Sequence, residues 1–554
     1  MTARPLAALA LVALAQAVCA QALRPLGPPP VPAGNPMTRE RIELGRALFW
    51  DEQLSGTGTV ACGTCHRPAA GGSDPRNRTG EAVANPGFDA QPGTADDVRG
   101  SPGVPLHARD GSYLPDPVFG YAPQVGGRRS PSAVAAAYAS LLFWDGRAGG
   151  RFVDPDSGVV LIESGGALEN QSLGPVVNDV EMAHVGTQLR DVAARVARVR
   201  PLALADRVPA SLAAFVGESA YPALFARAFG TPDVTPARIA MAIASYERTL
   251  VPDATPLDRE LAGMPALTAT ERAGLAVFRS AGCVDCHGGA LLADDAFHNL
   301  GLRPDEEDAG RAAISGDARD RGAFRTPSLR NVGLRAPFMH DGRFATLEEV
   351  VAFYDRGGDF ASPARDPLMR PLGLTAAERD ALATFLRDAL TDPRAASEAP
   401  PFDRPRLFSE GPRVPRVQGA SRAGRDGRTP LLASLEPPLA GARDFTVTIA
   451  GGTPNARAVI VAGTRDPGLA AQPPVGDVAN LALALDATGG ATATLVLPGE
   501  PGVALGARVF VADGDGWSVS PQLAFATFGP YVGTPTVAPR TPRRCASRLP
   551  CAPP

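Results

Sequence analysis

The spacing of apolar and polar residues changes once along the chain. Up to about residue 393 apolar side chains recur at helical intervals, and beyond about residue 430 they alternate one by one. TRERIELGRALF reads as an amphipathic helix starting near Thr38, and TPARIAMAIASYERTL takes Thr235 as its cap with Pro236 in the first turn. LTAAERDALATFLRDAL opens on a capping box at Thr375 and Glu378, and TLEEVVAFYDRGG on another at Thr346 and Glu349. The second of these helices places Leu347, Val350, Val351 and Tyr354 on one face and can end at Gly357. DFTVTIA, ARAVIVAG, LALALD, ATATLVLP and ARVFVAD are short, rich in Val, Leu and Thr, and divided by turn residues. These patterns predict a mainly α region, a Pro- and Arg-rich linker at 394–430, a small all-β, sandwich-like domain at 431–530 and a tail at 531–554. A Gly-, Pro- and Asp-rich insertion at 70–127 interrupts the helical part.

The first residues, MTARPLAALALVALAQAVCAQA, combine one Arg, an apolar run from Leu6 to Val18 and small residues after it. That is the pattern of a cleaved signal peptide over 1–20, and the run is too short to span a membrane. An exported protein, periplasmic or secreted and without a membrane span, is expected. Gly and Pro, 60 and 56 residues, give a loop-rich but folded chain. A net charge of −4 argues against nucleic acid as partner. All 54 basic residues are Arg, so lysine Schiff-base chemistry is excluded.

Of the seven cysteines, Cys19 lies in the leader, and Cys545 and Cys551 could pair in an oxidising compartment. The other four form CGTCH at 62–66 and CVDCH at 283–287. Two thiols at this spacing can add to the vinyl groups of one haem, while the adjoining His66 or His287 reaches the iron. Zinc, a redox dithiol and a disulfide are the alternatives. Zinc needs two more ligands per site, a redox pair belongs in a βαβ context, and neither accounts for a His in the same place twice. GRALFWDEQLSGTGTVACGTCH and GLAVFRSAGCVDCHGG each set a helix carrying Gly and Phe before the signature, which implies two copies of one module.

In order, CGTCH, GRRSPS, FWDGRA, QSLGP, NDVEM, CVDCH, FRTPSLRNV and APFMHDGRFATLEEVV resemble the bacterial di-haem cytochrome c peroxidase and MauG family over about residues 37–393. The resemblance implies two c-type cytochrome domains in tandem, a peroxidatic one at 21–250 and an electron-transfer one at 251–393, each with a covalently bound haem c. It makes Glu181 the acid-base residue above the first haem, with Gln171 and Pro175 at the family's offsets of ten and six residues before it. One positioned carboxylate can take a proton from one peroxide oxygen and deliver it to the other. Trp144 corresponds to the tryptophan between the haems, and the segment from there to Gln171 is longer than the family norm.

The resemblance also assigns the iron ligands beyond the proximal histidines. Family peroxidases place a Met at the position occupied here by Tyr354, eight residues after Thr346; MauG-like members have Tyr there. A phenolate lowers the iron's potential where a thioether raises it. Met339 and Met369 are the competing candidates. His107 is the histidine available to cap the first iron, but its spacing departs from the family, so an open iron is expected. His340 reads as structural, and His184 and His298 as surface or haem-edge residues. A calcium ion between the haems would use the main-chain oxygens of Arg335 and Pro337 and an Asn side chain, whose place is taken by Arg129 or lost in a short deletion. The implied activity is reduction of hydrogen peroxide, with electrons from a small cytochrome c or cupredoxin or from a protein substrate. The rival is a non-catalytic electron-transfer protein anchored to a partner by its β-domain.

Overall fold

A computed structural model of the chain describes residues 22–76 and 84–530. The expected signal peptide, the tail and its two cysteines lie outside the described residues. The chain divides into two compact units. One runs to Val414, apart from Ala108–Ser112, and includes Leu435–Pro437; the other takes in Pro415–Ser434 and resumes at Pro438.

In the first unit the site is framed by α1 (Arg39–Phe49), α2 (Pro236–Glu247), α3 (Ala269–Ser280), α4 (Leu347–Asp355) and α5 (Ala376–Thr384). Their starts follow the capping signals. The Thr38 hydroxyl accepts from Arg41 N, and that of Thr235 from Arg238 N, each at 3.3 Å. Reciprocal boxes begin α4 and α5 as expected, and a further one, Thr268 with Glu271, begins α3. Gly357, at φ +79°, follows the end of α4.

The repeated Gly of the two related segments has a shared physical role. α1 packs on α2, and α3 on α5. A Cβ at Gly45 would lie 1.8 Å from the Ala242 carbonyl oxygen, and one at Gly274 2.1 Å from that of Ala381. In each case the helix leading to a CxxCH segment rests backbone to backbone on its partner. Gly45→Ala and Gly274→Ala are therefore each expected to destabilise the holoprotein by about 1–3 kcal/mol, because the helices must part. Thermal denaturation checks this; an unchanged midpoint would show that the helices tolerate a methyl group between them.

Each helix pair has its own hydrophobic cluster. Leu44, Phe49, Trp50, Ile243 and Tyr246 belong to one, and Leu275, Phe278, Val351, Phe353 and Phe385 to the other. The insertion contributes a two-stranded antiparallel ribbon, Pro102–Pro105 with Pro123–Val125. No helix among the described residues is long and apolar enough to cross a membrane.

The second unit is built on strands β1 (Arg416–Gln418), β2 (Leu431–Ala433), β3 (Phe445–Ala450), β4 (Arg457–Gly463), β5 (Ala479–Ala484), β6 (Ala491–Leu495), β7 (Ala504–Asp513), β8 (Gly516–Val519) and β9 (Gln522–Ala526). One sheet has the order β6-β3-β2, the other β5-β4-β7-β9-β1 with β8 also on β7. Alternate residues of both sheets, among them Phe445, Val447 and Ile449 with Ile460, Val509 and Leu523, enter one hydrophobic cluster. The strand β1 lies inside the segment expected to be linker. Its three residues are all exposed, so they lack the apolar alternation that marks a strand.

Candidate functional site

The two CxxCH segments fold alike. Cys62–Cys65 forms one helical turn and Cys283–Asp285 a tighter one. In both, the histidine N–H returns to the carbonyl of the first cysteine, at 3.1 Å for His66 and 2.8 Å for His287. Nδ1 of His66 is 3.1 Å from Gly72 O, and Nδ1 of His287 is 3.1 Å from Leu292 O. With Nδ1 donating to these carbonyls, the lone pair resides on Nε2 and the ring is held for a ligand there. Burial lowers the pKa of both imidazoles, that of His287 to about 4, so both remain neutral, as a metal ligand must be.

The four cysteines are not joined in disulfides. Among the described residues, one group of His, Cys and acidic side chains is compact enough to hold a metal: Cys286, Asp294 and His298. It includes neither His66 nor His287. His298 donates both ring nitrogens, to Asp366 at 2.6 Å and Asp294 at 2.9 Å, and is pushed up to about 11 chiefly by Asp294.

A cavity of about 260 Å3 opens beside the second segment, lined by Cys283, Cys286, His287, Tyr354 and Trp144. Tyr354 thus shares a cavity with His287, although 67 positions separate them in the numbering. Burial, followed by the charges of Cys286 and Cys283, raises the phenol's pKa, and its hydroxyl makes no hydrogen bond to a described residue. Met339 and Met369 line the same cavity. So do Arg325 and Arg335, whose Nε atoms are buried without a hydrogen-bond partner. Arg335 otherwise donates through Nη2 to Ser328 O and Arg330 O, and Arg325 lies 3.7 Å from Asp295, so each guanidinium keeps a buried N–H to spare for an anion such as a haem propionate, while the haem ring would fill an apolar slot. The residues present fit the group.

Beside the first segment stands Glu181. Its charge is felt by both the Cys62 and Cys65 thiols. Burial raises its carboxyl above the ordinary range, and the Arg147 guanidinium pulls it partly back. Arg147 was not singled out from the sequence; it stacks on Phe143 with its guanidinium carbon 3.6 Å from the ring centre and donates to Asp145 at 2.8 Å. Gln171 lies near the end of the helix Ala167–Ser172, and Pro175 begins the turn Pro175–Val177. Both are half-buried, and the Gln171 side chain has no hydrogen bond to a described residue. His107 is buried, with Nδ1 2.8 Å from Pro105 O. Its Nε2 lies against Gly56, where a Cβ would come within 2.5 Å.

Trp144, which lines the cavity beside the second segment, is fixed by two contacts. Its Nε1 donates to Arg129 O at 2.8 Å, and its ring meets His340 edge-on with centroids 6.2 Å apart. His340 in turn stacks on Phe324 at 3.6 Å. The carbonyl oxygens of Arg335 and Pro337 converge as the resemblance implies, but on the Arg129 side chain: Nη1 donates to Arg335 O at 2.6 Å and also to Pro337 O. The position read as a lost calcium ligand is filled by a cation, so the residues present do not fit calcium there. Arg128 extends the joint, binding Asp308 through Nε at 2.7 Å and Nη2 at 2.6 Å, and Asp145 through Nη1 at 2.7 Å.

The chain is similar in sequence to proteins of one family. The family profile described as "Di-haem cytochrome c peroxidase" matches residues 39–266. "Cytochrome-c peroxidase IdrP1" of Denitromonas iodatirespirans is 33% identical over 406 residues, covering 67% of this chain and 87% of that protein. "Methylamine utilization protein MauG" of Methylorubrum extorquens is 32% identical over 370 residues, covering 66% of this chain and 82% of that protein. A solved MauG-like protein associated with microbial copper homeostasis is 28% identical with a TM-score of 0.48, covering 70% of this chain and 97% of its own. On the sequence identity, which extends over most of the length of these relatives, the chain belongs to the di-haem cytochrome c peroxidase and MauG family, and is a di-haem oxidoreductase.

Proposed function

We propose that this protein is an exported, periplasmic or secreted peroxidase or oxidase that reduces hydrogen peroxide beside His66 and draws electrons through a second centre at His287. The observation that supports the reading is Glu181, a half-buried carboxyl whose charge acts on both thiols of the first CxxCH segment and which has the Arg147 guanidinium near it. In this reading two c-type cytochrome modules stand in tandem. Cys62 and Cys65 hold one haem with His66 on its iron; Cys283 and Cys286 hold the other with His287 and Tyr354. When bound, the haems supply the redox chemistry, accepting and passing single electrons.

The chain's own residues do the rest. Ionised, Glu181 accepts a proton from one peroxide oxygen; as the acid it returns that proton to the other, which departs as water. Burial favours the protonated carboxyl and Arg147 the ionised one, and a group that must do both tasks benefits from standing between them. In this reading the first iron keeps its sixth position open. Trp144, held by Arg129 and His340, is the aromatic group assigned to electron relay. The electron donor is a small cytochrome c or cupredoxin, or a protein side chain oxidised in its place. The second unit has no His or Cys in residues 415–530 and is assigned to docking through its sandwich-like sheets.

Cyanide tests the reading directly. Added to the fully oxidised holoprotein, it is expected to shift the Soret band of one haem and leave the other unchanged, because one iron alone is open. A spectrum wholly indifferent to cyanide and to peroxide would point to the rival, an electron carrier with both irons six-coordinate.

A further inference from the structure

The joint beside Trp144 carries a positive charge of its own. The loop bearing Arg335 and Pro337 turns two carbonyl oxygens toward one point, and a pair of oxygens arranged in this way calls for a cation or for N–H donors. Nη1 of Arg129 lies at that point and donates to both. Arg129 is 5% exposed, so its guanidinium has been taken out of water to make these bonds.

Calcium would need those same lone pairs together with four to six further oxygens. The acidic side chains around the joint are already engaged. Asp308 and Asp145 bind Arg128, and Asp341 binds Arg303 at 2.8 Å. A divalent ion brought to the two carbonyls would also meet the guanidinium at close range, and like charges in a buried setting repel strongly. The guanidinium and the ion therefore exclude one another.

The main chain of the same residue holds the aromatic cluster. Arg129 N donates to His340 O at 2.7 Å, and Arg129 O accepts from Trp144 Nε1. The side chain that closes the joint and the backbone that anchors the tryptophan thus belong to one residue.

We propose that the Arg129 guanidinium is the resident cation of this joint, so that the protein takes no calcium there and keeps Trp144 in place without a metal. The proposal does not depend on the peroxidase reading. Its test is metal analysis of the holoprotein, incubated with calcium and then dialysed against calcium-free buffer. The expected result is far less than one calcium per chain, with the thermal midpoint and optical spectrum unmoved by EGTA. One calcium per chain, removed by EGTA with a fall in the midpoint, would overturn it. In Arg129→Ala both carbonyls lose their donor, and the midpoint is expected to fall by several degrees. A variant as stable as the parent would overturn the structural part of the proposal, and the metal analysis of the parent protein stands whether or not that variant folds.

Discussion

Glu181→Gln is expected to slow peroxide consumption by roughly 10²–10⁴-fold, the range over which a positioned proton-transfer group contributes. The amide keeps the size of the side chain but can neither take a proton nor return one. Haem content and the oxidised spectra should stay as in the parent, since Glu181 does not belong to either CxxCH segment. The pH profile carries a second readout. The proton-accepting form is the carboxylate, so activity rises as pH climbs through the Glu181 pKa. Burial raises that pKa, so the limb lies above the usual carboxylate range. Arg147→Ala removes the opposing cation and should move the limb to still higher pH, whereas Glu181→Gln should abolish it. Steady-state assays with a small reducing dye check both effects. A Gln variant of parental activity would show that the proton passes elsewhere.

Much of this was legible in the sequence because its chemistry is local. A CxxCH segment is readable since both thioether-forming thiols and the proximal imidazole must lie within five consecutive residues. The capping boxes at Thr346 and Thr375 are equally compact, and both helices begin where their boxes place them. The repeated Gly of GRALF and GLAVF was visible as a repeat, but its cause was not. Only the crossing of α1 with α2, and of α3 with α5, shows that a carbonyl occupies the space of a Cβ.

What stayed hidden depends on contacts between distant residues. Arg129 meets the oxygens of Arg335 and Pro337 across 206 and 208 positions, and periodicity carries no trace of such a pair. Read along the chain, Arg129 is an absent ligand; in three dimensions it is a donor. Arg147 could have been found in FWDGRA, but a guanidinium near a tryptophan says nothing of its distance from Glu181. β1 was missed because an edge strand with both faces in water carries no hydrophobic signal.

Tyr354→Phe is expected to raise the midpoint potential of the second haem by on the order of 100 mV or more, within the roughly 0.8 V that axial ligands span. The substitution is suited to the question. α4 is started by the Thr346 and Glu349 box and anchored by Leu347, Val351 and Phe353, all buried, and Phe keeps the ring, so the helix should be undisturbed. The change is confined to one oxygen. That oxygen has no hydrogen-bond partner among the described residues, and burial strongly disfavours its ionisation, so a bound iron is the group that could hold it as phenolate. Redox titration followed optically, with EPR of the oxidised protein, checks the potential and the coordination together. In the parent, both centres should respond to one equivalent of peroxide without prior reduction; in the variant, that response should require one haem to be reduced first. Met339→Leu and Met369→Leu line the same cavity and should leave the potential near its parental value. If instead either Met variant shifts the potential and Tyr354→Phe does not, the second haem has a thioether ligand, and Tyr354 serves only to pack α4 against the haem.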